Sequence, residues 1–179
     1  MTTGLMYMFD KYADIKLQIR LENNDFSAIG RVTTHWAYLE DMISEALWML
    51  LDRPEGVEFD KYLAIPFNKR ARRLKDLVRK IVHDKDNCEK LIDLIDQASF
   101  VHSQRDIIVH GMASRYGQPK NQILFRHSKH TTEETWKDYQ MAAKDITQIA
   151  KKISDIHYEL QDFLWTKLKL GWPDQPPES

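Results

Sequence analysis

A chain of 179 residues, 42% hydrophobic and 11% aromatic, is long enough to bury one core of ordinary domain size. Six Gly and six Pro are too few for a sheet fold dense in tight turns, and a net charge of -1 supplies no global field to draw the chain onto nucleic acid. The single cysteine, Cys88, excludes an intramolecular disulfide and a cysteine-based zinc knuckle, and its lone presence leads us to expect a reducing, cytoplasmic setting.

Met1 to Asp10 show no basic region followed by an apolar run, so no signal peptide is expected. No window approaches about 18 uninterrupted apolar residues, so no membrane span is expected either. Residues 5–20 set Leu5, Met8, Tyr12, Ile15 and Ile19 at helical spacing. Asn24 or Asp25 is the expected cap of the next helix, over about 25–51, whose stripe is Phe26, Ile29, Val32, Trp36, Leu39, Ile43, Leu47 and Leu50. Gly30 weakens it, and Arg53-Pro54-Glu55-Gly56 ends it. After a connection over 57–65, Pro66 suits a first helical turn, and Phe67, Ala71, Leu74, Leu77, Val78 and Ile81 share one face. Asp86 and Glu89 read as a capping pair for a third long pattern through Leu91, Leu94, Ile95, Ala98, Val101, Arg105, Ile108 and Val109.

Gly111 interrupts that pattern. Residues 112–126 read as a small β-hairpin or an ordered loop. Thr131 and Glu134 read as a further capping box, opening a last helix over about 132–169 with Tyr139, Ala142, Ile146, Ile149, Ile153, Leu160, Leu164 and Leu168 on its stripe. The Pro-rich end, 172–179, reads as a disordered tail. The expectation is an all-α protein, a four- to five-helix bundle over 1–171 with one small hairpin or ordered loop before the last long helix.

Arg105-Asp106-Ile107-Ile108-Val109-His110-Gly111 is the most informative stretch. Arg105 falls on an apolar stripe, and a buried cation needs an anion: a carboxylate in a structural ion pair, or a bound phosphate. Glu40, between Trp36 and Ile43 on its own stripe, is the expected carboxylate partner. In a straight helix His110 points about 140° away from Arg105. Either the helix kinks or ends near Gly111, or a second copy of the chain completes the site across a two-fold axis.

The stretch resembles the Arg-x(4–6)-His motif of HEPN domains, in which a small polar residue follows the Arg; Asp106 holds that place here. A bundle of four or five helices with the motif late in the third long helix, then a closing helix, is similar in outline over residues 25–168. The resemblance implies a metal-independent endoribonuclease that acts as a homodimer and needs no cofactor. His110 would serve as general acid or base, because an imidazole can take and give protons near neutrality. Arg105 would bind the scissile phosphate through its planar fork, with Asp106 orienting either of them; Glu40, by its place on the apolar stripe, is either a further member of that site or a lock between two helices. The product would carry a 2′,3′-cyclic phosphate. Many such proteins are toxins or antiphage effectors, which implies an antitoxin or effector partner. Members silenced by tyrosine modification carry Tyr two residues after the His. Met112 stands there in this chain, so that control is not expected.

Lys69, Arg72, Arg73, Arg79 and Lys80 fall opposite the apolar stripe of their helix. They are either an ordinary solvated face or a contact surface for the RNA backbone. His102, His127 and His130 lack metal-ligand spacing even beside Glu133 and Glu134, so no metal site is expected. His157 reads as a core histidine, and His35 and His83 as surface residues. Cys88 has no spacing that marks a nucleophile. Two other readings remain open. One is a non-catalytic HEPN-like module that binds nucleic acid or protein. The other is a structural bundle in which Arg105 merely pairs with Glu40.

Overall fold

The computed structural model describes residues 21–51, 59–115, 118–119, 121–128 and 136–170. The described part is mostly helical, with one small three-stranded sheet. The helix expected over 5–20, the Arg53–Gly56 stop, the Thr131–Glu134 cap and the tail lie outside the described residues. No helix among the described residues is long and apolar enough to cross a membrane.

Helix α1, Asn23–Leu50, runs unbroken. Gly30 sits in it with open space around its α-carbon, so its cost of about 1 kcal/mol against Ala is easily carried by the stripe of Val32, Trp36, Leu39, Ile43 and Leu47. Phe26, expected on that stripe, is exposed. The cap is Glu22 rather than Asn24 or Asp25: Asp25 stands three positions inside, and its carboxylate accepts the Glu22 N–H at 2.9 Å. A one-turn helix, α2 (Asp60–Leu63), leads to α3 (Phe67–Ile81), which buries Phe67, Arg70, Ala71, Leu74 and Val78. Helix α4, Lys85–His110, is capped by Asp84, whose side chain accepts the Asn87 N–H at 2.8 Å. The Asp86–Glu89 pair expected there is therefore two residues too late.

Strands β1 (Met112–Ser114), β2 (Ile123–Ser128) and β3 (Trp136–Met141) form one antiparallel sheet in the order β1-β2-β3. Helix α5, Ala143–Asp162, follows, and a π-helical turn over Phe163–Lys167 closes it. The last helix thus begins at Ala143, not near 132. Tyr139 pairs with Phe125, and Asp138 with Arg126. Tyr139 and Met141 pack on the core, whereas Arg126 and Asp138 form an exposed cross-strand ion pair. Tyr139 and Met141, half-buried and separated by exposed Gln140, have the two-residue alternation of a strand. Over six residues it cannot be told from part of a helical stripe without its partner strand.

The core gathers one face of each long helix: Leu39 and Ile43, Leu74 and Val78, Leu91 and Leu94, Ile153 and Leu160, with Ile123 and Phe125 of the sheet. Each fully buried Leu or Ile contributes roughly 2 kcal/mol before chain entropy is subtracted. Asp25, fully buried, ties the start of α1 to the sheet by accepting two hydrogen bonds from Arg115, at 2.6 and 2.7 Å. Those bonds hold its carboxyl below the usual carboxylate range. Its contribution to stability is therefore present above about pH 4 and is lost as the pH falls through the folded value.

Candidate active site at the end of α4

Helix α4 stops where the motif does. The Gly111 N–H donates to the Ile107 carbonyl at 3.0 Å, and the chain then turns extended into β1. A Cβ on Gly111 would run into that carbonyl oxygen and crowd Phe125, so only glycine lets the helix end this close to β2. His110 is consequently the last helical residue, pinned by the sheet behind it, with a side chain 60% exposed.

Arg105 and His110 meet within one protomer: Arg105 Nη1 lies 2.8 Å from His110 Nε2. The 140° between their α-carbons is overcome in two ways. Helical side chains lean towards the N-terminus, so the His110 ring falls back along the axis. The Arg stem is long enough to cross one helix face. A guanidinium only donates, so Nε2 must accept, and the ring proton then sits on Nδ1. Asp106 completes the group: its Oδ1 lies 3.1 Å from Arg105 Nη1 and 3.9 Å from His110 Nε2. The Arg105 guanidinium rests 5.9 Å from the centroid of the Trp36 ring, a cation–π contact that seats it against α1. Its Nε is buried without a hydrogen-bond partner among the described residues.

Glu40 does not pair with Arg105. Its Oε1 accepts from Arg70 Nη2, and its Oε2 accepts from the Trp36 indole N–H at 2.9 Å. Arg70 is almost wholly buried and also donates to Ser44 Oγ. The expected Glu40–Arg105 lock is thus a Glu40–Arg70 lock between α1 and α3. Glu40 reaches Arg105 only through Trp36. The partner was legible: Arg70 is three residues after Phe67 and four before Leu74, on the apolar stripe.

His102 belongs to the cluster, although its sequence neighbourhood marks it only weakly. Its ring stacks on Phe67 at 4.7 Å, and its Nε2 is 3.8 Å from Asp106 Oδ1. Burial pushes its pKa below the usual imidazole value; Arg105 and Arg70 add to this, while Asp106 and Glu40 oppose it. His157, half-buried beside Tyr38 rather than in the core, is lowered by burial and by His35. A histidine whose folded pKa is depressed takes its proton first in the unfolded chain. Stability should therefore be level above about pH 6.5 and should fall as the pH drops below it. Urea unfolding at a series of pH values measures the slope, and His102→Phe should flatten it. A slope between pH 5 and 6.5 that His102→Phe leaves unchanged would remove His102 as a source.

The basic face of α3 is exposed at all five positions, Lys69, Arg72, Arg73, Arg79 and Lys80. Helices α3 and α4 run antiparallel, since Phe67 meets His102 and Lys75 bonds Asp96 at 2.6 Å. The start of α3 therefore lies by the motif. Lys69, Arg72 and Arg73 sit within about two turns of that start, whereas Arg79 and Lys80 lie roughly 18–20 Å from Phe67 along the axis. The structure brings Arg105, Asp106 and His110 into one group, sets Glu40 one residue behind it, and leaves Arg79 and Lys80 remote. No family model, curated protein or solved structure matches the chain.

Proposed function

We propose that this chain is a metal-independent endoribonuclease of the HEPN type, with a HEPN-like helical bundle, acting as a cytoplasmic homodimer in the manner of a toxin or antiphage effector. The observation that carries the reading is the 2.8 Å contact from Arg105 to the Nε2 of an exposed His110 at a helix end. The Nε2 lone pair is held by Arg105 in the free chain and is released for use as a base when that hydrogen bond is exchanged. An RNA phosphate entering beside it takes the Arg105 guanidinium as a partner in place of the imidazole. His110 then removes the proton of the 2′-hydroxyl as the 2′ oxygen attacks phosphorus. The 5′ oxygen leaves with a proton from water, giving a 2′,3′-cyclic phosphate and a 5′-hydroxyl end. Arg105 offsets the charge that builds on the phosphoryl oxygens. The test is cleavage of a mixed RNA pool in EDTA by wild type and His110→Ala, with analysis of the ends.

The basic face gives this reading a graded prediction. Lys69→Ala with Arg73→Ala should weaken RNA binding and flatten its salt dependence by about one unit of slope per lost phosphate contact. Arg79→Ala with Lys80→Ala, remote from the motif, should leave RNA binding and its salt slope little changed. Filter binding from 50 to 200 mM salt reads both, and equal losses from the two pairs would contradict a footprint centred on the motif.

A non-catalytic module that binds RNA or protein is the second reading. It is favoured by Arg105, whose side chain is only 19% exposed and already engaged by Asp106, His110 and Trp36.

A further inference from the structure

His102 stands three residues before Arg105 and four before Asp106, one turn back on the same face of α4. Two aromatic rings from two other helices hold its imidazole. Phe67, the first residue of α3, stacks on it with planes 13° from parallel. Trp36 of α1 packs against it at a tilt, 5.1 Å away, and the three rings form a triangle, since Trp36 and Phe67 are themselves 4.8 Å apart. The side chain is 17% exposed, so the ring has little room to turn, in contrast to the open His110. Its Nε2 faces Asp106 Oδ1 at 3.8 Å, an electrostatic contact longer than a hydrogen bond. The same oxygen receives Arg105 Nη1, which in turn reaches His110. One carboxylate oxygen is therefore the meeting point of three nitrogen groups, and His102 among them is held by two aromatic rings.

We propose that His102 is a positioning residue: packed against Phe67 and Trp36, it anchors the Asp106 carboxylate that steers Arg105 onto His110 Nε2. The functional part of this proposal rests on the reading of Arg105 and His110 as the reactive pair. An aspartate beside an arginine on a helix surface has several rotamers open to it, including ones that face only water. The fixed imidazole edge makes one of them preferred. The charged groups around the ring come from every helix packed on it: Glu40 from α1, Arg70 from α3, and Arg105 and Asp106 from α4. Burial keeps the ring neutral at neutral pH, so it steers Asp106 by its N–H dipole without competing with Arg105 as a second cation. Protonation at low pH would turn it into that competitor.

Nitrogen-15 spectra of the histidine rings in the full chain test the proposal without RNA. Wild-type His110 should show Nε2 as an unprotonated acceptor and Nδ1 as protonated. His102→Phe keeps the stack on Phe67 but removes the imidazole edge. It should shift the His110 ring signals towards averaged tautomers, with an unchanged thermal melt as proof of folding. His102→Gln, whose amide can stand close to the place of Nε2, should restore them in part. In RNA cleavage, His102→Phe should lower kcat about 10- to 100-fold with KM little changed, and His102→Gln should recover much of it. A His110 spectrum in folded His102→Phe that superposes on wild type overturns the proposal. If wild type cleaves no RNA, the ribonuclease reading falls, and the ring spectra still decide the role of His102.

Discussion

Replacing His110 by Ala is expected to lower RNA cleavage in EDTA by about 10²- to 10⁴-fold, the share a positioned general acid or base supplies. The fold should survive, because the side chain is largely exposed and lies at the last residue of α4. That separation of activity from stability makes the variant informative. Arg105→Lys is its natural companion. It keeps the positive charge but loses the planar guanidinium whose Nη1 meets both Asp106 and His110 and whose fork would hold a phosphate, so kcat should fall while the thermal melt moves little. Arg105→Ala is less clean, since it also strips the cation from the face of Trp36. Gel analysis of a mixed RNA pool, with the ends examined for 2′,3′-cyclic phosphate, measures all three. Undiminished cleavage by His110→Ala would mean that the chemistry lies elsewhere.

Arg70→Met is expected to cost about 3 kcal/mol of stability, the lower end of the range for breaking a buried ion pair, because Glu40 keeps about a third of its side chain in solvent. The loss has two parts. Glu40 is left with the Trp36 indole as its remaining partner, and the buried Ser44 hydroxyl loses a donor. Adding Glu40→Leu should restore much of the stability, since a well-packed apolar pair often equals or exceeds a buried salt bridge. Urea denaturation of the two single variants and the double variant closes the cycle. The same series separates structure from function. If Trp36 passes the position of Glu40 on to Arg105, the double variant should be stable yet impaired in cleavage. A double variant as unstable as Arg70→Met would show that the pair is not the source of the loss.

The residues of the site were legible in unequal degree. Arg105 and His110 stood out because a cation on an apolar stripe needs a partner and a glycine follows the histidine. Glu40 stood out for the same reason, yet its partner was misassigned. Periodicity says that a charge is turned inward, not which inward charge on another helix lies at the same height. Arg70 carried the same signal but was masked by five exposed basic residues on the same helix. His102 carries little signal in the sequence, because it fits no metal spacing. Its place depends on Phe67 and Trp36, which lie 35 and 66 residues away in the chain.

The amino-acid order alone determined the helical character and the approximate course of the three central helices, because each carries an apolar face at its own period and needs only local spacing to show it. It also determined the end of α4, since Gly111 is required where the backbone passes close to a carbonyl. Only the tertiary structure decided that Trp136–Met141 is a strand, that Arg70 and not Arg105 holds Glu40, and that His102 faces Asp106. Those outcomes are set by pairing between distant segments. A six-residue pattern adopts the period of whatever it packs against, and a buried charge settles on the counter-charge that the folded geometry brings within reach.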